Sequence, residues 1–148
     1  MSLKKVIEIE IDREVLIERN ILIVKAWHNE KEYNFILDTG ANTCVISGDA
    51  VVEMETVRNE KTDTLIALNS REKSKEHWIT LSMGKMIQRR FKSNRFKIRF
   101  LLSQHDFNRE YFMGREIAGI LGANFLMEIR AVINFRNFKL IGYYDIND

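Results

Sequence analysis

The chain has 148 residues, a length that predicts one domain with one core. Its hydrophobic fraction of 45% excludes a disordered segment, and its formal net charge of +2 implies no obligatory polyanionic partner. No apolar run approaches the length of a membrane span, and the first residues lack a signal-peptide core. The sequence therefore predicts a cytoplasmic protein with no membrane partner, and a leader removed before Met1 is the open alternative.

Period-two alternation of apolar and polar residues dominates the first third of the chain and predicts strands. The predicted strands are 4–11, 14–18, 20–27, 32–37 and 43–47. A polar turn joins the third of these strands to the fourth. Ser47 is predicted to cap a short helix that runs through Glu55.

Three further strand pairs are predicted in the rest of the chain: 64–68 with 78–83, 86–91 with 95–102, and 131–135 with 138–143. A polar loop over 69–77 joins the first pair, and the polar segment 104–116 is predicted to hold a short helix. The segment 118–126 is predicted to turn at Gly119 and Gly122 and to enter a helical turn. Many short strands with few helices predict a mostly β, barrel-like fold.

One carboxylate stands where an apolar strand meets a tight turn, in the run Asn34-Phe35-Ile36-Leu37-Asp38-Thr39-Gly40-Ala41-Asn42-Thr43. The apolar residues before Asp38 would raise the cost of its charge. Gly40 would permit a backbone geometry closed to other residues, and Ala41 would leave space beside the carboxylate. The alternative is that Asp38 only caps a turn before Thr43.

A lone solvated aspartate has a pKa of about 3.9 and does little at neutral pH. Two aspartates within hydrogen-bond distance share a proton, so that one can activate a water while the other donates to a carbonyl oxygen. The chain contains no second Asp-Thr-Gly or Asp-Ser-Gly. Such chemistry therefore requires Asp38 from two copies that meet on a two-fold axis.

Three parts of the chain resemble the retropepsin-like aspartic proteases, in particular their bacterial single-domain members. They are the hairpin 21–37, the signature Asp38-Thr39-Gly40-Ala41, and Ile120-Leu121-Gly122-Ala123-Asn124-Phe125-Leu126, which in the family threads behind the catalytic loop. The tail 131–140 is similar to the closing hairpin of the bacterial members. The resemblance implies that residues 1–148 form a single retropepsin-like domain: a closed, barrel-like acid-protease fold with one or two short helices and one lobe per chain.

The resemblance also implies an aspartic endopeptidase that is active as a homodimer on a polypeptide substrate. It assigns catalysis to Asp38, Thr39 and Gly40, with Thr39 locking the two loops together, and substrate binding to Ala41 and Asn42. No metal and no cofactor are implied, and the three histidines show no metal-ligand spacing.

Two departures from the family pattern keep an alternative open. The expected flap between Leu65 and Leu81 contains no glycine and has a highly charged tip, and Asn42 stands where viral members have an acid. Both are compatible with a catalytically silent, dimeric peptide-binding or scaffold module on the same fold.

Two other signals are interpreted as structural. The segment from Lys85 to Arg99 holds seven basic residues and no acid, a pattern found in nucleic-acid-binding proteins. Because the basic residues from Arg95 onward alternate with apolar ones, we interpret the segment as a strand pair with one wet face, which disfavours a nucleic-acid partner. The lone Cys44 rules out an internal disulfide and is predicted to be a small buried side chain.

Overall fold

A computed structural model describes residues 3–54, 57–64, 73–86, 94–103 and 106–145. The strands in these ranges are β1 (Leu3–Glu10), β2 (Ile23–His28), β3 (Lys31–Leu37), β4 (Cys44–Ser47), β5 (Val57–Thr64), β6 (Lys73–Ser82), β7 (Lys85–Met86), β8 (Arg95–Ser103), β9 (Ile117–Leu121), β10 (Val132–Asn134) and β11 (Lys139–Asp145). The helices are α1 (Arg13–Arg19), α2 (Gly48–Glu53) and α3 (Ala123–Glu128).

Six strands close into a barrel in the order β2-β3-β9-β4-β8-β6. The closure is made by β2 and β6, where Trp27 pairs with Ser82, and β5 extends the sheet beyond β6. The strand β9 lies between β3 and β4, parallel to the former and antiparallel to the latter. The predicted mostly β, barrel-like fold is confirmed.

A second sheet has the strand order β10-β11-β1-β7. The predicted amphipathic first strand is confirmed here, since Ile7 and Ile9 are buried while Glu10 is exposed. These isoleucines join one core cluster with side chains from inside the barrel, including Phe35 and Phe100, whose ring centroids lie 5.8 Å apart. The hydrophobic effect therefore holds the two sheets together.

The prediction of a strand over 14–18 is wrong, because this segment lies in α1. Asp12 caps the helix by accepting a hydrogen bond from the Val15 N–H at 3.2 Å, and Asn20 ends it in the left-handed conformation. The apparent alternation does not reflect burial: Val15 is buried, whereas Ile17 is 62% exposed. This helix is the third short one in the described ranges, where one or two had been expected.

A smaller apolar cluster explains where α1 packs. It contains Val15 of α1, Ile23 of β2, Phe112, and Ile117 of β9. An ion pair also stabilises the position of α1, because the Nε of Arg115 lies 2.9 Å from a carboxylate oxygen of Asp12, the residue that caps this helix. The helix is thus stabilised by residues about one hundred positions away in the sequence.

The prediction of a polar loop over 69–77 is wrong for residues 73–77, which belong to β6. Residues 69–72 and most of the predicted strand 64–68 lie outside the described part of the chain. Glu76 and His77 are buried and pair with Leu101 and Phe100 of β8. The buried Glu76 carboxylate lies 3.7 Å from the Arg99 guanidinium, which offsets the cost of burying its charge.

Two more predictions in the second half need correction. Residues 109–114 form consecutive turns rather than the short helix expected within 104–116, and Met113 and Gly114 both have positive φ values. Gly119 lies inside β9 rather than in a turn. A Cβ at Gly119 would lie 2.1 Å from the Val45 carbonyl oxygen, so a side chain there would prevent the close pairing of β9 with β4.

The capped helix and the closing hairpin are confirmed with small shifts in their ends. Ser47 caps α2 by accepting a hydrogen bond from the Ala50 N–H at 3.2 Å, although the helix ends at Glu53. The closing hairpin forms between β10 and β11.

The predicted pairing of 86–91 with 95–102 is wrong where it is described, because Met86 lies in β7 and pairs with Ile7 of β1, whereas β8 lies between β4 and β6. In β8, Arg95 and Lys97 are exposed while their neighbours are buried, as expected of a wet face; residues 87–93 lie outside the described ranges.

Candidate active site

The predicted site residues lie together in one loop between β3 and β4, which we call the Asp38 loop (residues 38–43). Its entry is fixed by two backbone hydrogen bonds: the Leu37 N–H donates to the Leu22 carbonyl at 2.9 Å, and the Asp38 N–H donates to the Leu121 carbonyl at 3.1 Å. The second bond holds the loop to the end of β9. The loop therefore begins at a fixed point on the barrel wall.

The turn itself is held by the backbone and carboxylate of Asp38. The carboxylate accepts a hydrogen bond from the Gly40 N–H at 2.9 Å, and the Asp38 carbonyl accepts one from the Ala41 N–H at 3.2 Å. The prediction that Gly40 adopts a backbone geometry closed to other residues is wrong, because its φ does not lie in the left-handed region. A Cβ at Gly40 would instead lie 3.2 Å from the carboxylate oxygen Oδ1, so a side chain there would make a tight contact with the acid.

The far half of the loop is held by the start of α3. The Ala123 N–H donates to the Ala41 carbonyl at 2.7 Å, and the Asn124 N–H donates to the Asn42 carbonyl at 3.2 Å. At Gly122 the two segments cross so closely that a Cβ would lie 2.7 Å from the Ala41 carbonyl oxygen. The glycine is therefore required by close backbone approach.

Asn124 is a positioning residue that the sequence reasoning did not single out. Its side-chain oxygen accepts a hydrogen bond from the Cys44 N–H at 2.8 Å, and its side-chain nitrogen donates to the Arg99 carbonyl at 3.2 Å. One amide thus joins α3, the start of β4 and β8. The available signal was a single polar side chain inside the apolar run from Ile120 to Leu126.

Cys44 lies beneath the loop and is buried, as predicted. Burial raises the pKa of its thiol to about 11, so the group stays neutral near pH 7. Its sulfur accepts a hydrogen bond from the Gly122 N–H at 3.2 Å. The thiol is therefore part of the packing behind the loop rather than a reactive group.

The loop presents its polar groups outward. Asp38, Thr39, Gly40 and Asn42 are exposed and Ala41 is half-buried, above the buried side chains of β3. A cavity of about 610 Å³ lies elsewhere, between β1 and β2, and no residue of the loop lines it. In a single chain, the Asp38 carboxylate thus stands at an open surface.

Two features together define a retropepsin-like protein. One is the closed barrel, and the other is an Asp-Thr-Gly loop that is hydrogen-bonded to the end of β9 and the start of α3. Residues 24–125 match the model of the aspartyl protease family, and the chain belongs to this family. A comparison with curated proteins found no match.

Two solved structures share the fold. One is a retropepsin-like aspartic protease from Rickettsia conorii, with a TM-score of 0.55 and 16% identity over 97% of this chain and 93% of that one. The other is EIAV protease in complex with the inhibitor HBY-793, with a TM-score of 0.52 and 16% identity over 80% of this chain and 96% of that one. None of the helices in the described ranges has the length and apolar character needed to cross a bilayer.

Proposed function

We propose that this protein is an aspartic endopeptidase that hydrolyses polypeptides as a homodimer, with one Asp38 from each subunit. The observation that carries the proposal is the exposed carboxylate of Asp38 on a loop held by hydrogen bonds at both ends, in a chain of the aspartyl protease family. The extent of the domain, residues 1–148, and the cytoplasmic location stay predictions.

The chemistry follows from placing two Asp38 carboxyls within hydrogen-bond distance. Because two like charges resist joint ionisation, the pair holds one proton between them. The ionised member takes a proton from a water as the water oxygen attacks the peptide carbonyl carbon, and the protonated member donates its proton to the carbonyl oxygen. When the tetrahedral intermediate collapses, a proton passes to the leaving nitrogen, the C–N bond breaks, and the shared proton is restored.

The neighbours of Asp38 have supporting roles in this proposal. Thr39, exposed at the tip of the loop, would hydrogen-bond across the two-fold axis and lock the two loops. Gly40 and Ala41 would form the floor on which the substrate lies. Asn42 would hydrogen-bond the substrate main chain with an amide where viral members have an acid.

The test is cleavage of an unstructured protein such as casein between acidic and neutral pH. We expect Asp38→Asn to lower the rate by about 10²- to 10⁴-fold, which is the usual contribution of general acid–base catalysis. The melting temperature should not change, because the asparagine oxygen can still accept the Gly40 N–H. The exposed Asp106 provides the matched control, and Asp106→Asn should leave the rate unchanged.

A mixing experiment tests whether each active unit needs two aspartates. Adding an excess of the Asp38→Asn protein should draw wild-type chains into inactive mixed dimers and lower the specific activity of the wild type. A specific activity that is independent of the added variant would refute the shared pair. Dimerisation and peptide binding without turnover in the wild type would instead favour the silent binding module.

A further inference from the structure

A groove opens where β1 and β2 diverge. The two strands meet at Ile11 and Val24, which form an isolated bridge. Away from this bridge, β2 pairs with β6 through Trp27, whereas β1 pairs with β7. The cavity of about 610 Å³ lies between the diverging strands, and its volume is within the range of about 300–1,000 Å³ that is usual for ligand sites. We call it the β1–β2 groove.

The β1–β2 groove offers an aromatic ring and apolar side chains to a ligand. Three buried isoleucines, Ile9, Ile11 and Ile23, are among its lining residues. Trp27 lines it as well and is 39% exposed, so its ring can be reached from solvent. Because side chains alternate along a strand, Lys25 and Trp27 project from the same face of β2. A ligand that packs on the indole therefore also meets an ammonium group.

Positive charge exceeds negative charge in the β1–β2 groove. Its lining residues include five basic and three acidic ones. The surroundings of Glu10 show how closely the cations are placed. The Nζ of Lys139 donates a hydrogen bond to the Glu10 carboxylate at 3.1 Å, and this bond, together with the charges of Lys139, Lys85 and Lys25, lowers the pKa of Glu10. The groove therefore favours an anionic ligand.

Ion pairs within the chain neutralise only part of this positive charge. Three of the five basic residues, Lys25, Lys139 and Arg115, lie within 3.3 Å of an acid. The other two, Arg13 and Lys85, are exposed and form no ion pair within the described part of the chain. These two cations can therefore pair with a ligand.

Arg13 and Lys85 lie towards opposite ends of the groove. Lys85 is the strand partner of Glu8, and Arg13 follows Asp12. The ring of Phe138 helps to hold Arg13 in place, because the guanidinium lies 4.5 Å from its centroid. An extended chain covers about 13 Å between positions 8 and 12, at about 3.3 Å per residue. A ligand peptide with the same rise would therefore match the two cations with acidic residues four positions apart.

We propose that the β1–β2 groove binds an acidic segment of a polypeptide in an extended conformation, with its carboxylates on Lys85 and Arg13 and an apolar side chain on Trp27. A nucleic acid fits less well, because three carboxylates line the groove and would repel closely spaced phosphates. The proposal goes beyond the proposed function and does not depend on it, since no residue of the Asp38 loop lines the groove.

Fluorescence titration of Trp27 tests the proposal directly. The chain has two tryptophans, so Trp78→Phe leaves Trp27 as the reporter, and Asp38→Asn in the same protein prevents the cleavage that the proposed function would cause. The probe is a blocked seven-residue peptide with glutamate at its second and sixth positions, phenylalanine at the fourth and alanine elsewhere. The control peptide has glutamine in place of glutamate.

We expect the glutamate peptide to change the Trp27 emission with a dissociation constant about 2- to 30-fold lower than that of the glutamine peptide, the usual contribution of two exposed ion pairs. The difference should shrink as salt is raised, because screening weakens exposed ion pairs. Equal constants for the two peptides at low salt would overturn the proposal.

Variants of exposed residues locate the binding site without disturbing the core. Arg13→Gln with Lys85→Gln should raise the dissociation constant of the glutamate peptide by about 2- to 30-fold. Glu10→Gln should act in the opposite direction, because it removes a carboxylate that repels the ligand. Arg136→Gln is the control, since Arg136 is exposed and does not line the groove, and it should have no effect. A double variant with the unchanged constant would show that the peptide does not bind in the groove.

The groove and the proposed active site can fail separately. If restoring Asp38 changes the dissociation constant of the glutamate peptide, measured before turnover, the peptide lies at the Asp38 loop and the groove is wrong. If the constant is unchanged while the Asp38→Asn protein cleaves casein at the wild-type rate, the groove stands and the proposed chemistry is wrong. A single-stranded oligonucleotide that displaces the peptide at a lower concentration would overturn the assignment of a peptide ligand.

Discussion

The crossing at Gly122 gives the sharpest prediction from the structure. A Cβ at this position would lie 2.7 Å from the Ala41 carbonyl oxygen and 2.8 Å from both the carbonyl carbon and the oxygen of Thr43. All three atoms belong to the backbone, so no side chain can rotate away to make room. Relief requires the Asp38 loop and the start of α3 to separate by about 0.7 Å, to reach the usual contact distance of 3.4 Å.

The expected cost of Gly122→Ala combines three effects. Overpacking of this kind costs about 1–3 kcal/mol. Alanine is also a poorer residue than glycine before the first turn of a helix, by about 0.5–1 kcal/mol. The lower entropy of the unfolded chain offsets about 0.5–1 kcal/mol. The net destabilisation is about 2 kcal/mol, which lowers the melting temperature of a domain of this size by about 4–8 °C.

Two measurements check the size and the place of this effect. Thermal unfolding followed by circular dichroism gives the stability. The rate at which a thiol reagent labels Cys44 reports the separation, because Gly122 N–H bonds to that sulfur, and labelling should be faster in the variant. The control is Gly48→Ala: no atom lies within 4 Å of a Cβ there, and the change in the first turn of α2 should stabilise by about 0.5 kcal/mol. The reasoning is refuted if Gly122→Ala unfolds at the wild-type temperature and its Cys44 is labelled at the wild-type rate.

Two further predictions concern side chains that join distant elements. Asn124→Ala leaves the buried Cys44 N–H without its acceptor and should lower the free energy of unfolding in urea by about 1–3 kcal/mol; a loss below about 0.5 kcal/mol would show that the amide is dispensable. The hydrogen bond from Lys139 lowers the pKa of Glu10. The stabilisation from this ion pair is therefore present above the unfolded pKa of Glu10 and is lost as the pH falls through the folded pKa. Glu10→Gln should be less stable than the wild type at pH 7, and this difference should shrink at pH 3. An equal difference in urea midpoint at both pH values would contradict this account.

Local signals were sufficient for the elements that carry the candidate site. Alternation predicted the hairpin of β2 and β3, the step from an apolar strand into a Thr-Gly turn predicted the Asp38 loop, and Ser47 predicted the start of α2. Each of these features depends on residues close together in sequence. The same holds for β1, whose isoleucines are buried as the alternation indicated.

The misassigned elements depend on contacts that no local pattern contains. The helix α1 forms because Asp12 caps it and because Val15 packs on residues from 112 to 117. Glu76 and His77 look like loop residues until β8 supplies their partners. Gly119 was predicted as a turn because glycine is common in turns. The structure needs it inside β9, which lies between β3 and β4 although it is far from both in the sequence.

The position of β9 has a consequence for how the loop can move. The two strands that flank the Asp38 loop, β3 and β4, share β9 as a common neighbour. The Asp38 N–H is bonded to the carbonyl of Leu121 at the end of β9, and the Cys44 N–H is bonded to the side chain of Asn124 in the first turn of α3. These amides should exchange slowly with deuterated solvent, because freeing either one requires the loop to separate from β9 or from α3. In the proposed homodimer, the two subunits would then meet with the acidic turn already ordered, and little ordering entropy would oppose their association.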